Sequence, residues 1–435
     1  MLFFFYLKQG LKKIVANILQ LEARLILNKY RPRIVGITGS VGKTSTKDAV
    51  AIVLASQYRI RKSEKSYNSE LGVPLTILGS RSAWNDPLGW VEIIVHGLML
   101  LIFRQAYPEW LVLEIGADHP GDIKKIASWI KFDIVVITRL PDIPVHIEFF
   151  KSKEQLVEEK TYLLKTLGPE AWAILNFDDE VVKSFADTTK GQVLSYGFNP
   201  QATVIASNDQ LLYKDEEIDG LTFKIDYQGG SLPIRLYQVL SRHQISAALA
   251  AFAVGASQGL NPVLMLEALT NLVLPPGRLN LIEGIKNSIL LDDTYNASPV
   301  AMEAGLDVLA EIKVTGRKIA VLGDMLELGS YTVPAHRAIG TRVGKIVEHL
   351  ILIGLRSKFI AEGAEEGGLD PKNIHHFDEA EMAGKFLEKL IKTGDLVYLK
   401  GSQGMRLEKV VEEVMAHPED KEKLLCRQEK EWQKR

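Results

Sequence analysis

Ile34-Val35-Gly36-Ile37-Thr38-Gly39-Ser40-Val41-Gly42-Lys43-Thr44-Ser45 decides the fold. A short β-branched run, Ile34 to Thr38, feeds directly into a glycine-rich turn, and a helix is predicted from about Ser45 to Ser56. In that order, backbone N–H groups of the turn and the positive end of the helix converge on a phosphate. Gly39 and Gly42 let the backbone turn without Cβ clashes. Lys43 is placed to reach the β- and γ-phosphates and the Thr44 hydroxyl to ligate Mg²⁺. Gly39, Ser40, Val41, Gly42, Lys43, Thr44 and Ser45 are therefore the candidate phosphate-binding residues. One departure from the common pattern is that its first glycine falls at Ile37, while this chain has Gly36 and Gly39. The loop by itself supports ATP or GTP binding and no particular reaction.

Working outward, Leu111 to Ile115, Phe132 to Thr138 and Trp172 to Asn176 are further buried-strand candidates separated by helical stretches. Such alternation predicts an α/β fold, with a mainly parallel sheet in a central P-loop domain over residues 34–275. Pro200 to Leu240 differs, with alternating runs and Asp-Gly and Gly-Gly turns that predict antiparallel hairpins. A helix follows over about Gln244 to Gln258. Pro275-Pro276-Gly277 reads as a hinge. Beyond it Ile289 to Leu291, Lys318 to Leu322, Leu350 to Ile353 and Leu396 to Leu399 predict a second, Rossmann-like doubly wound domain over 276–417. Residues 418–435 are charged and are expected to fray.

Hydrophobic residues make up 46% and charged residues 24% of 435, which is ordinary for a globular chain of two or three domains. A net charge of −2 gives no support to nucleic-acid binding. The single cysteine, Cys426, excludes an internal disulfide and suits a reducing cytoplasm. Residues 1–33 predict an N-terminal amphipathic helix. Leu11, Ile14, Val15, Ile18, Leu21 and Leu25 recur at helical spacing, with Lys13, Asn17, Gln20 and Arg24 opposite and Glu22 interrupting the apolar side. A second apolar stretch, Leu88 to Phe103, contains Glu92 and His96 and is short for a membrane span. Two readings of these segments stay open. They pack on the protein body or on each other, or they attach to the inner membrane surface through an apolar face with basic flanks.

Leu111-Val112-Leu113-Glu114 ends in a carboxylate where a P-loop fold holds Mg²⁺, although a capping or surface glutamate fits the segment equally. Further runs are Tyr67-Asn68-Ser69-Glu70-Leu71-Gly72-Val73-Pro74, Glu114-Ile-Gly-Ala-Asp-His, His146-Ile-Glu-Phe-Phe, Pro276-Gly-Arg-Leu279, Asp292-Asp-Thr-Tyr-Asn-Ala-Ser-Pro299, Val321-Leu-Gly-Asp-Met-Leu-Glu-Leu-Gly329 and Lys400-Gly-Ser402. In this order, from Ile34 to about Ala416, the chain resembles the Mur ligases, and within them most closely the branch that adds D-alanyl-D-alanine.

The resemblance implies an ATP-dependent ligase that activates a carboxylate as an acyl phosphate for attack by an amine. The implied substrates are a UDP-muramoyl-peptide and D-Ala-D-Ala. It implies one Mg²⁺ at Thr44 and Glu114, and a second at His146 and a lysine carbamylated on its amine, which falls on Lys160. It further implies that Asn68 lies near metal and carboxylate and that Arg278 swings onto the ATP phosphates at domain closure. Gln244, Asp293 and Asn296 would meet the nucleotide, and Lys400 would lie near the incoming amine. A family histidine corresponds to His336, for which a surface role is as fitting. For Asp293 and Asn296 the residues alone also allow a helix cap.

Three places depart from the family. Only about 33 residues precede the first strand, so the helix is expected to stand where the family has its UDP-sugar domain. His243-Gln244 replaces His-Asn, and Thr138-Arg139-Leu140-Pro141 replaces Thr-Asn-x-Gly. The leading expectation is a cytoplasmic monomer that adds D-alanyl-D-alanine. A superfamily ligase with another acid and amine, and a membrane-associated ATP-binding protein without ligase activity, stay open beside it.

Overall fold

The computed structural model describes residues 2–64, 67–143, 146–214, 217–429 and 432, with side chains from Lys13 onward and excepting Glu217. Nine strands form the first sheet: β1 (Arg33–Thr38), β2 (Ile60–Lys62), β3 (Trp110–Glu114), β4 (Ile134–Ile137), β5 (Trp172–Asn176), β6 (Gln192–Gly197), β7 (Val204–Lys214), β8 (Glu217–Tyr227) and β9 (Gly230–Tyr237). Their order is β2-β3-β1-β4-β5-β6-β7-β8-β9. Pairing is parallel as far as β7, and the β7–β8 and β8–β9 pairs are antiparallel. The Gly-Gly turn joins β8 to β9 as expected. Asp219-Gly220 does not make a turn: it lies inside β8 beside a register shift, where a Cβ on Gly220 would meet the Leu236 carbonyl at 2.1 Å. Glycine serves a bulge there.

Both faces of this sheet are covered, as parallel strands require. Val35, Ile37, Val112 and Val136 face α2 (Lys43–Ala55) and the helix Arg242–Ser257. Ile34, Leu111, Leu113 and Val135 face the opposite core, to which α1 (Leu2–Tyr30) and α3 (Gly72–Leu78) contribute Leu19, Ile26 and Val73. In β1 the alternation sends Ile34 to one core and Val35 and Ile37 to the other.

The two apolar N-terminal segments pack on each other. The second becomes α4 (Pro87–Ile102), started by Asp86, which accepts from Leu88 N at 3.0 Å. Lys29 of α1 donates to the carbonyls of Leu100, Leu101 and Phe103 at 2.9, 2.8 and 3.0 Å, satisfying the end of α4. The side of α1 that is buried is not the expected one. Leu19, Ala23 and Ile26 are buried, while Ile14, Ile18, Leu21 and Leu25 are exposed. Glu22, which interrupts the expected stripe, lies in the seam with α4. A Cβ on Gly97 would lie 2.3 Å from its Oε2, so the glycine makes room for the carboxylate.

Both Glu22 oxygens are buried and lack a hydrogen-bond partner, and burial raises its pKa from 4.5 to about 7. The folded chain thus holds the proton more tightly than the unfolded chain, so this group makes stability fall as pH rises from about 4.5 to about 7. Glu22→Met is expected to stabilise the protein at pH values above that window by about 1–2 kcal/mol, after discounting for nearby solvent. The gain shrinks as pH falls through the window. Urea unfolding at either end measures it, and a destabilised variant at high pH would contradict the assignment.

The second sheet comprises β10 (Asn280–Gly284), β11 (Ser288–Asp292), β12 (Lys318–Gly323), β13 (His349–Ile353), β14 (Ile374–Phe377) and β15 (Leu396–Lys400), in the order β10-β11-β15-β12-β13-β14. β10 is antiparallel to β11 and the other pairs are parallel. Helices on both faces give the expected doubly wound arrangement.

The charged tail does not fray where it is described. Leu425, Cys426 and Arg427 are buried. Arg427 pairs with Glu408 at 2.6 Å and donates to the carbonyls of Thr294 and Tyr295 at 2.7 and 2.9 Å. Cys426 lies against Gly277, where a Cβ would come within 3.2 Å of its sulfur. One buried arginine with an acidic partner and carbonyl acceptors outweighs the polar composition around it.

Candidate active site

The phosphate loop lies between β1 and α2. Gly39 has φ 136° and Gly42 φ 85°, both in the left-handed region. Gly39 is also a close approach, since a Cβ there would lie 2.0 Å from Thr138 Oγ1. Ser40 N donates to Arg139 O at 2.8 Å, tying the loop to the segment after β4.

Glu114, at the end of the adjacent strand β3, comes to Thr44. The hydroxyl donates to Oε2 at 3.0 Å, and Asn68 Nδ2 donates to Oε1 at 3.4 Å. Glu114 is buried, which argues against a surface glutamate. Threonine, glutamate and asparagine thus form an oxygen-rich corner beside the loop, as a hard divalent cation requires.

Lys160 lies on α6 (Lys153–Thr161), the helix that follows α5 (Asp122–Ala127) in the chain. Its ammonium nitrogen is buried and lies 3.4 Å from Gly39 O, the carbonyl that also accepts from Lys43 Nζ at 3.1 Å. Burial first, and then the neighbouring Lys43 charge, lower the Lys160 pKa to about 7. Lys43 is lowered by burial too, opposed by the Glu114 charge.

His146 has φ 70°, which aims its ring into the site. Nδ1 lies 2.7 Å from Glu327 Oε2, off the hydrogen-bond direction, and Nε2 lies 3.7 Å from Asp118 Oδ1. Despite two carboxylates, burial and then the Lys160 charge lower its pKa, which favours the neutral ring. A neutral imidazole has a lone pair to offer a metal. Among the described residues no three His, Cys, Asp or Glu side chains form a metal cluster, so the fit of a second cation depends on the oxygens that a carbamate on Lys160 would add.

Arg278 reaches across from the segment that leads into β10. Nη2 lies 3.4 Å from Thr44 Oγ1, and the guanidinium stacks over Tyr295 at 4.1 Å. Its Nε is buried without a partner. A cavity of about 750 Å³ joins these groups, with the loop, Glu114 and His146 on one wall and Arg278, Asp293 and Asn296 on the other. A neighbouring cavity of about 630 Å³ shares Val41, Gly42 and His243 with it. There His243 Nε2 lies 3.3 Å from Arg139 Nη1, which shows where the departing Thr138-Arg139-Leu140-Pro141 segment points.

Other expected residues are present but differently engaged. Gln244 borders the cavity, yet its Oε1 accepts from Leu240 N and Ser241 N at 2.7 and 2.9 Å and its Nε2 donates to Arg278 O at 2.9 Å. It caps a helix and holds the backbone of Arg278. Lys400 is buried in an ion pair with Asp293 at 2.7 Å and donates to Asn296 O at 2.9 Å, which shapes the loop rather than presenting a free ammonium. His336 is not on the surface. It is fully buried, accepts from Met325 N at 3.0 Å and contacts Thr332 O at 2.6 Å. Asp118, Glu327 and Tyr295 join the site without having been singled out. Each lies inside a quoted run, but none has a pattern of its own that marks it.

The sequence profile of the Mur ligase middle domain matches residues 37–255, and that of the Mur ligase, glutamate ligase domain matches residues 277–403. A Bacillus subtilis protein named UDP-N-acetylmuramoyl-tripeptide–D-alanyl-D-alanine ligase is 28% identical over 92% of this chain and 79% of its own. The Mycobacterium leprae protein of the same name is 30% identical over 86% and 72%. The crystal structure of MurF ligase from Thermotoga maritima in complex with ADP superposes with a TM-score of 0.75, at 25% identity over 92% of this chain and 83% of that one. With both domain profiles matched in order, and a relative 30% identical over 86% of the chain, the chain belongs to the Mur ligase family of ATP-dependent ligases.

Proposed function

We propose that the chain joins D-alanyl-D-alanine to a UDP-N-acetylmuramoyl-tripeptide, the activity for which its relatives in Bacillus subtilis and Mycobacterium leprae are named. The observation that carries this reading is that Lys43, Thr44, Glu114, His146, Lys160 and, from the segment before β10, Arg278 gather around the phosphate loop. In the reaction the γ-phosphoryl group of ATP passes to a carboxylate oxygen and ADP leaves. The amine nitrogen then attacks the acyl carbon, loses a proton, and phosphate departs as the amide forms. Lys43 and Arg278 lie where charge develops on the transferring oxygens.

Thr44 and Glu114 would hold one Mg²⁺, and His146 with a carbamylated Lys160 a second. Bound there, the cations would neutralise phosphate charge. Closing the two walls excludes water from an acyl phosphate that hydrolyses readily. ATP and a UDP-linked acid are cytoplasmic compounds, which supports a cytoplasmic reaction.

Phosphate release from ATP tests the reading. Purified protein with Mg²⁺ and UDP-muramoyl-tripeptide should release phosphate at a sustained rate only when D-Ala-D-Ala is added. No dependence on the dipeptide would sink this substrate assignment, and release with another acid and amine would transfer it to a sister ligase.

A further inference from the structure

We propose that the exposed apolar face shared by α1 and α4 docks the protein on a bilayer rich in anionic lipid. On α1, Ile18, Leu21 and Leu25 are exposed, Leu21 to 59%. On α4, Val91, Val95 and Leu98 are exposed, Val91 to 56%. Half-buried Ile94 stands three residues before Gly97 and shares a side with Val91 and Leu98, so it links the seam with α1 to the outward row of α4. Ile18 and Leu25 stand four residues before and three after Glu22, so they share its side of the helix. Glu22 meets Gly97, so this row runs alongside α4. Lys29 and Tyr30 then clamp the helices together through the carbonyls at the end of α4. Beneath the face, Leu19, Ala23 and Ile26 anchor α1 in the core, so the outward row is surplus to folding. Monomeric proteins rarely leave such a contiguous apolar surface bare.

Charge selects the occupant. The chain as a whole carries −2, yet exposed Arg24 stands three residues from Leu21 and so borders the row, and exposed Arg31 and Arg104 follow the ends of α1 and α4, while Lys29 is occupied by carbonyls. Among the described residues the exposed acids of α4 and its flanks are Asp86, occupied in capping Leu88 N, Glu92, and Glu109, which pairs with Arg59. A symmetric pairing of two copies would bring the same basic frame onto itself. An anionic headgroup layer complements the frame, while the aliphatic rows enter the acyl boundary. Among the described residues no helix is long and apolar enough to cross a membrane, so the contact is a surface one.

Flotation of the full chain tests this, with phosphatidylcholine vesicles against vesicles containing about one third phosphatidylglycerol. The protein should float with the anionic vesicles and be released by about 0.5 M salt. Val91→Ser/Val95→Ser/Leu98→Ser, and separately Ile18→Ser/Leu21→Ser/Leu25→Ser, should each lower partitioning by about tenfold or more. Their thermal melts should match the parent chain, because these side chains are outside the core. Arg24→Glu/Arg104→Glu, which leaves the apolar rows intact, should weaken binding to anionic vesicles alone and serves if a triple variant unfolds. Absence of flotation with anionic vesicles overturns the proposal, as does flotation that survives both triple substitutions. A dimer in sedimentation that the triple variants convert to monomer, without flotation of the parent chain, would identify a second copy as the occupant and overturn it equally.

Discussion

Lys160→Ala is expected to lower kcat by about a thousandfold or more, the scale of losing a charged group at a phosphoryl-transfer site. Two lysine amines converge on one carbonyl, Gly39 O, in a buried corner. Both cannot remain cations cheaply. Lys43 has Glu114 as a countercharge, while Lys160, with a pKa of about 7, is the one that gives up its proton. A neutral lysine amine can attack carbon dioxide, losing a proton and becoming a carbamate anion. That exchange replaces a costly cation beside Lys43 with an oxygen ligand of opposite charge. The neutral amine fraction grows as pH rises through about 7, so bicarbonate dependence should grow in the same direction. Assays in carbon dioxide-depleted buffer, with and without added bicarbonate, read this out. The alanine variant should ignore bicarbonate and regain part of its rate with acetate, which fits the space left. Full activity in the alanine variant would refute the role.

Arg278→Ala is expected to lower kcat by about a thousandfold with a smaller effect on the KM for ATP, as for an arginine that meets phosphoryl charge in the transition state. The side chain is positioned for that task. It reaches Thr44 at 3.4 Å from the opposite wall, is held flat by Tyr295, and its backbone carbonyl is fixed by Gln244. Arg278→Lys should recover little, because an ammonium neither stacks nor forks. Single-turnover measurements separate binding from chemistry. A kcat within about threefold of the parent chain would remove Arg278 from the phosphoryl-transfer step.

The parts of this architecture that follow local rules were legible from residues alone. The β-branched run into Gly39 and the parallel series after it depend on periodicity and turn chemistry, and Trp172 to Asn176 matched to the residue. Parts that depend on choice between equals were not. α1 is apolar on more than one side, so helical spacing could not tell the core row at Leu19, Ala23 and Ile26 from the outward row at Ile18, Leu21 and Leu25. The short edge strands β10 and β14 carried too little pattern to be seen. At the site, the family runs identified positions but not duties. Lys400 and Gln244 carry polar groups suited to a ligand, yet partners distant in sequence engage them first. Charge composition misjudged the tail, because one arginine with three acceptors decides where it lies.

That tail has a consequence for the timing of assembly. Arg427 leaves the ribosome after every strand of both sheets, yet it holds the carbonyls of Thr294 and Tyr295 beside the ring beneath Arg278. A nascent chain can therefore complete its phosphate loop and both sheets while the wall opposite them still lacks its support. Support for the wall around Arg278 therefore arrives only after the last strand of either sheet has been made, and a disturbance at Arg427 would be felt at the nucleotide.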